Sequence, residues 1–196
     1  MKFVIIGSGI VGLSIAKVLI DRNICEASKI IVVDKYAIPS QGTSIRNSGV
    51  LHAGLYYKPG SLKAKLSIGG GLKLKDWCNL NQIPILECGK LLVPFNKNDY
   101  KNLDKIEKNA IKNGCDIKIL DYKEAKNIQP GLIKKDKYLW SPKTSVFPPN
   151  LIIKKLFKSL KELGVEFLRN EVIYDDSEKK HLILKNNLKL SYFKYI

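Results

Sequence analysis

The apolar run Phe3-Val4-Ile5-Ile6 leads directly into Gly7-Ser8-Gly9-Ile10-Val11-Gly12, and an apolar, helix-compatible segment from Ile10 to Arg22 leaves it. A second β-rich run, Ile30-Ile31-Val32-Val33, ends at Asp34. Short apolar runs bounded by turn residues predict strands, and the longer segment between them predicts a helix. Further on, the pattern predicts a helix over 61–80, with Leu62, Leu66, Leu72 and Trp77 inward and Gly69-Gly70-Gly71 interrupting it. Residues 83–95 read as two short strands turning at Cys88-Gly89. A helix over 97–113 is closed by Gly114, residues 116–120 form a strand, and 121–129 form a short helix ended by Pro130-Gly131. Tyr138-Leu139-Trp140 is strand-like.

Pro148-Pro149 then opens a helix that runs to Leu163 and stops at Gly164. Its leucine, isoleucine and phenylalanine stripe alternates with Lys154, Lys155, Lys158 and Lys161, and an ordinary amphipathic pattern of this kind predicts a helix covering a sheet. Residues 165–168 form a strand that rejoins the parallel sheet. Residues 172–174, 181–184 and 188–193 read as antiparallel strands, with Asn186-Asn187 as the last turn. His181 sits within a strand and carries no motif.

The opening stretch has a chemical meaning. Strand, tight glycine turn, helix, strand and acid form the dinucleotide-binding fingerprint in its full context. Gly7 permits the turn, Gly9 lets backbone approach a pyrophosphate, and Gly12 lets the helix pack close to the strand. The helix N-terminus offers free N–H groups and a positive dipole end to phosphates. Asp34 is placed to accept hydrogen bonds from ribose hydroxyls.

Composition narrows the classes. At 196 residues the chain is long enough for a domain plus part of another, and its 45 % hydrophobic content is globular. No apolar run reaches the ~18 residues of a membrane span, and the apolar N-terminus is the fingerprint strand rather than a signal peptide, so a cytoplasmic location is the expectation. The formal charge of +16 comes from 34 basic residues, of which only Arg22, Arg46 and Arg169 are arginine. Base-reading proteins favour arginine. No aromatic-basic interleaving appears, so a lysine-rich composition accounts for the charge and no nucleic-acid partner is expected. Cys25, Cys78, Cys88 and Cys115 show no CxxC and no metal spacing, so no metal site is expected.

A second informative block runs from Thr43-Ser44 through Arg46-Asn47-Ser48-Gly49-Val50-Leu51-His52-Ala53-Gly54-Leu55-Tyr56-Tyr57. Thr43 or Ser44 is placed to cap a short helix, and Gly49 and Gly54 bracket a bend. This block, Gly7–Gly12, Asp34-Lys35, the following 58–64 segment, Cys88–Val93 and, more loosely, 140–146 resemble the N-terminal part of the L-2-hydroxyglutarate oxidase/dehydrogenase family. That family lies within the FAD-dependent D-amino-acid-oxidase-like superfamily. Two departures stand out. Arg46 stands where the family commonly has His, and Asp34 where Glu is usual.

The resemblance implies an α/β fold: a Rossmann-like FAD-binding domain with an inserted, incomplete α+β substrate domain. The expected division is 1–82 for the first part of the FAD domain, 83–145 for the start of the substrate domain, and 146–196 for the return to the FAD domain. It implies FAD as cofactor, held by Gly7, Ser8, Gly9, Ile10, Val11, Gly12, Asp34, Lys35, Thr43, Ser44, Asn47, Ser48, Gly49 and Val50. It implies oxidation of a 2-hydroxy acid, L-2-hydroxyglutarate to 2-oxoglutarate, by hydride transfer to flavin N5, with oxygen or a quinone as electron acceptor. His52 is the candidate catalytic base, with flavin packing as its alternative role.

Because the family's remaining contacts lie further along a longer chain, this sequence reads as an N-terminal fragment. It is expected to stop in the β-meander after Phe193, before the next strand of the sheet. A second polypeptide is then expected to carry the C-terminal half, and the chain alone to bind the ADP half of FAD weakly without turnover. The competing readings are a non-catalytic dinucleotide-binding remnant and a basic nucleic-acid-binding protein.

Overall fold

The computed structural model describes residues 2–192 and 194–196. In chain order the first elements are β1 (Phe3–Ile6), α1 (Ile10–Asp21), β2 (Ile30–Asp34), β3 (Val50–Leu51), α2 (Leu62–Leu80) and β4 (Lys90–Leu92). Next come α3 (Lys97–Lys112), β5 (Lys118–Leu120), α4 (Tyr122–Ile128), β6 (Tyr138–Ser141), β7 (Ser145–Val146) and α5 (Pro149–Glu162). The strands β8 (Glu166–Arg169), β9 (Val172–Asp176), β10 (His181–Leu184), β11 (Lys189–Ser191) and β12 (Lys194–Tyr195) complete the chain.

Contacts divide the molecule into two compact units, one of residues 1–47 and 149–196 and one of 48–148. Compactness therefore groups 48–82 with the middle of the chain, because β3 pairs with β7 and Phe147 N–H donates to the Gly49 carbonyl.

The first unit is layered around a parallel sheet of order β12-β1-β2-β8. Strand β2 is buried along Ile30–Val33, as a central parallel strand covered on both faces must be. On one face α1 buries Gly12, Leu13 and Ala16, and α5 buries Ile152, Ile153, Leu156 and Leu160. Phe157 of α5 meets Phe167 of β8 edge to face at 4.5 Å. The lysines of α5 remain exposed on its outer side, so the helix covers the sheet as its pattern predicts. On the other face the meander β9-β10-β11 closes a core of Val4, Ile31, Val33, Leu182, Leu184 and Tyr192. The alternation along β1 serves both layers: Val4 belongs to the meander core, and Ile5 lies beneath Gly12 of α1.

The sheet goes one strand further than the sequence reading. Instead of ending in the meander, the chain returns as β12, which pairs in parallel with β1 through Phe3↔Lys194 and Val4↔Tyr195. Only two residues form that strand, too short for a period-2 pattern to register. The expected end of the last meander strand at Phe193 lies outside the described residues.

The second unit is α+β. Its three-stranded antiparallel sheet has the order β4-β6-β5, and Leu120, Ala125 and fully buried Tyr138 form the core beside it. The Tyr138 hydroxyl donates to the Ile133 carbonyl at 2.6 Å and accepts from Lys135 N–H at 3.0 Å, so burial leaves it satisfied. Both α3 and α4 begin in full capping boxes, Asn96 with Asp99 and Asp121 with Glu124.

Three local expectations change. The hairpin within 83–95 is not formed: Leu86 bridges to Val146, and β4 pairs with β6. A turn at Gly89 is present (φ +67°), but it hands the chain from one partner to another. Helix α2 is unbroken across Gly69-Gly70-Gly71. Its inward face also differs from the expected one. Leu62, Leu66 and Leu72 are exposed, and burial falls on Ala64 and Cys78. Leucines on more than one side of this helix leave no single stripe, so periodicity selects no face.

Candidate cofactor-binding site

Strand β1 delivers Gly7 at φ +103°, with its N–H bonded to the Val33 carbonyl at 2.8 Å. The turn brings α1 back so closely that a Cβ on Gly12 would lie 2.1 Å from the Gly7 carbonyl oxygen. Gly9 is the N-cap and supplies no side-chain cap. The first-turn N–H groups of a helix have no intrahelical acceptor. That of Ile10 donates to Ser44 Oγ at 3.0 Å. Ser44 therefore caps α1 from another part of the chain, whereas the short 3₁₀ turn Thr43–Ile45 has no side-chain cap of its own.

Asp34, at the end of β2, is tied to the same turn. Its Oδ2 accepts from the Ser8 N–H at 2.7 Å and from the Ser8 hydroxyl at 2.6 Å, and its Oδ1 accepts from Tyr36 N–H at 2.9 Å. Burial alone pushes the carboxyl up. The Ser8 hydroxyl, the Tyr36 and Ser8 N–H groups and the Lys35 charge outweigh it and hold Asp34 below its ordinary value. Asp34 is thus an anion with its charge fixed at the rim of the glycine turn. Buried Ser40 completes the frame by donating from its Oγ to the Ser8 carbonyl at 2.9 Å.

These groups surround a cavity of about 360 Å³, bounded by Gly7, Gly9, Asp34 to Tyr36, Ser40 to Ser44 and Asn170 to Val172. Its size falls in the range of small-molecule sites. Of the residues expected at the cofactor, Gly7, Gly9, Asp34, Lys35, Thr43 and Ser44 line it. Ser8, Ile10, Gly12 and Asn47 do not line it but touch residues that do: Ser8 and Ile10 by hydrogen bonds to Asp34 and Ser44, Gly12 by its close approach to Gly7, and Asn47 by donating to the Ser44 carbonyl at 2.8 Å. Val11 points to solvent, 69 % exposed. Ser48, Gly49, Val50 and His52 belong to the second unit and do not line this cavity.

Ser40, Gln41 and the Asn170–Val172 segment are among the members that the sequence reading missed, with Ile6, Val33, Tyr36 and Gly42. Asn170 N–H donates to the Asp34 carbonyl at 2.9 Å. No local signal marks Asn170; it reaches the site because β8 lies parallel beside β2 and the carboxyl ends of neighbouring parallel strands open onto one crevice.

His52 follows β3 in the second unit and borders another cavity, of about 370 Å³, with Leu51, Ile68, Lys75, Cys115 and Lys143 among its walls. The loop after it is pinned from α3's end. Asn113 Nδ2 donates to the Gly54 and Tyr57 carbonyls at 3.1 and 2.9 Å, and Cys115 Sγ donates to the Ala53 carbonyl at 2.9 Å. Partial burial, then the charge of Lys90, hold His52 below its ordinary pKa, so its imidazole is neutral at pH 7.

The family model of FAD dependent oxidoreductases matches residues 2–183. The chain belongs to this family. Among curated proteins, it is 36 % identical over 190 residues to the mitochondrial L-2-hydroxyglutarate dehydrogenase of Dictyostelium discoideum, covering 91 % of this chain and 42 % of that one. It is 37 % identical over 131 residues to L-2-hydroxyglutarate dehydrogenase of Salmonella houtenae, covering 67 % of this chain and 31 % of that one. The chain thus spans well under half the length of these relatives.

Among solved structures, the FAD-bound L-alpha-glycerophosphate oxidase of Mycoplasma pneumoniae shares the fold with a TM-score of 0.78 at 23 % identity, over 98 % of this chain and 51 % of that one. Glycine oxidase of Geobacillus kaustophilus does so with a TM-score of 0.83 at 16 % identity, over 99 % of this chain and 54 % of that one. The fold is therefore the Rossmann-like fold of FAD-binding oxidoreductases, and the cofactor of the family is FAD.

Proposed function

We propose that the first unit holds the ADP half of FAD and that the whole protein oxidises a 2-hydroxy acid, with L-2-hydroxyglutarate as the substrate. The cofactor reading is carried by one observation: Asp34 is held ionised against the Ser8 of a glycine turn whose helix N-terminus faces the same cavity. The residues fit the group. The helix end and the small Gly7 and Gly9 suit a pyrophosphate, Asp34 suits ribose hydroxyls, and the hollow toward Asn170–Val172 has room for the base. The substrate reading is supported by the named relatives.

When bound, FAD supplies the hydride acceptor. The chain's own part in the chemistry falls to His52. Its neutral Nδ1 or Nε2 is a base able to take the substrate's hydroxyl proton as the α-hydrogen leaves. The second unit is proposed as the start of the substrate domain. The remaining substrate contacts come from residues that relatives carry beyond the matched span, supplied on this chain or on a second polypeptide. The electron acceptor is oxygen or a quinone. Among the described residues no helix is long and apolar enough to cross a membrane. The proposed location is cytoplasmic, with the exposed lysines of α5 available to the anionic inner face of a membrane.

The test is anaerobic mixing of L-2-hydroxyglutarate with the FAD-loaded protein, prepared together with the span that its relatives carry beyond the matched residues. Bleaching of the flavin absorbance is expected, and His52→Ala slows it at least about a hundredfold if the imidazole is the base. Unaltered reduction kinetics in His52→Ala remove the base role. No bleaching with any 2-hydroxy acid contradicts the substrate class.

A further inference from the structure

The cavity beside His52 carries more than the histidine. Gly71 of α2 passes the His52 backbone so closely that a Cβ on it would lie 4.0 Å from the His52 carbonyl oxygen. Lys75 is one turn further along the same helix face, about 6 Å up the axis, and both His52 and Lys75 line the cavity. The Lys75 side chain is only 17 % exposed. An ammonium has three N–H donors. Here one goes to Glu87 Oε1 at 2.6 Å and one to the Lys143 carbonyl at 3.4 Å. Among the described residues the third is left for a ligand.

Lys143 lines the same cavity, from the turn between β6 and β7. That turn is held firmly. Buried Ser141 and Thr144 share a hydroxyl hydrogen bond at 3.0 Å, Ser145 Oγ donates to the Lys143 carbonyl at 3.3 Å, and the Thr144 carbonyl accepts from Gly89 N–H at 2.9 Å. The Lys143 ammonium itself has no hydrogen bond or ion pair among the described residues. Apolar Leu51, Ala53, Ile68 and Leu72 make up much of the wall. Two ammonium groups, an imidazole and an apolar wall match an acid with a carbon chain better than a bare inorganic anion, which has no apolar part to cover. The step from Gly71 to Lys75 suits an extended five-carbon diacid. Its reacting carbon and far carboxyl carbon are about 4 Å apart over three bonds, with a hydrogen bond still to add. Glu87 and Asp116 also line the cavity. Glu87 is matched by Lys75, which leaves Lys143 as the uncommitted cation.

We propose that Lys143, with Lys75 beside it, receives the substrate carboxylate remote from the reacting carbon; this rests on the reading of His52 as the base at the same cavity. The chain has two histidines, His52 at the cavity and His181 on β10 of the other unit. The experiment is proton NMR of the two imidazoles during titration with glutarate, which has both carboxylates and no hydroxyl to oxidise. Glutarate is expected to shift the His52 resonances saturably and to leave those of His181, which also report that each variant is folded. Glutaramide, the uncharged diamide, shifts neither. Lys143→Met raises the apparent Kd for glutarate about tenfold, and Lys143→Arg keeps it within about twofold. Glu87→Gln removes an opposing charge and lowers the Kd about threefold. A His52 signal that glutarate does not move, or that saturates at the same Kd in K143M, overturns the proposal. So does a glutarate affinity that E87Q fails to raise. Flavin bleaching separates this site from the reaction. Glutarate bound through Lys143 in a protein whose flavin no 2-hydroxy acid bleaches leaves the carboxylate site standing and removes the oxidation reading. Bleaching in a protein whose glutarate affinity ignores Lys143 does the reverse.

Discussion

Asp34 Oδ2 takes two hydrogen bonds from one residue, the N–H and the hydroxyl of Ser8, at 2.7 and 2.6 Å. The end of β2 is thereby locked to the glycine turn after β1, and the acid's charge is set before any ligand arrives. Charge-assisted bonds of this kind are about twice as strong as neutral ones. Ser8→Ala removes the hydroxyl partner and is expected to loosen the turn, weakening FAD binding by about tenfold. Fluorescence titration of FAD against both proteins measures it.

The approach of α1 to β1 makes Gly12 and Gly9 unequal. A Cβ at Gly12 would sit 2.1 Å from a backbone carbonyl, whereas one at Gly9 would meet the Ser44 hydroxyl at 3.1 Å. Gly12→Ala is expected to cost about 3 kcal/mol of stability. Gly9→Ala is expected to leave the fold intact and to weaken FAD binding, because the added methyl stands where phosphate approaches. Urea unfolding and FAD titration of the two variants separate the effects.

Gly89 tests the second unit. It holds φ +67°, and a Cβ there would run into the Trp140 ring at 2.0 Å. Gly89→Ala carries both a left-handed backbone cost and a clash, about 3 kcal/mol together. In a Trp140→Leu background the clash is relieved and only the backbone part, about 1 kcal/mol, remains. A double-mutant cycle by thermal unfolding checks the difference.

Two partly buried groups, Asp34 and His52, shape the acid limb of stability. Asp34 lies below its ordinary value in the folded chain, so its contribution is present above about pH 4 and is lost as pH falls through the folded value. His52 also lies below its ordinary value. Below about pH 6.5 the unfolded chain takes up a proton that the folded chain resists, so stability declines from there down to the folded value. Urea midpoints from pH 3 to 8 should therefore rise with pH in two stages. Asp34→Asn diminishes the lower stage, to which Glu87 beside Lys75 and Asp104 beside Lys137 also contribute, and His52→Gln removes the upper.

The parts legible in the sequence are those that local physics dictates. Gly7–Gly12 between two apolar strands and Asp34 at the end of the second define a turn, a helix end and a charge within one short stretch. Gly114, with its φ of +70°, likewise announces the end of its helix. What stayed hidden depends on long-range pairing. Ser44 could be read as a cap, but not as the cap of α1, thirty-four positions away from its partner Ile10. Asn170 reaches the site because β8 chose β2 as its neighbour. Strand β12 is too short to signal itself, and the leucines of α2 gave a hydrophobic count without a direction.

The central claim is that the cavity between Asp34, the α1 N-terminus and Asn170 takes the ADP half of FAD. Competition titration tests it most directly, with FAD fluorescence read while ADP is added to the wild-type protein and to Asp34→Ala. ADP is expected to displace FAD from the wild type, and Asp34→Ala to weaken both ligands by about tenfold together. FAD binding that ADP does not displace, or that Asp34→Ala leaves unchanged, would contradict the account.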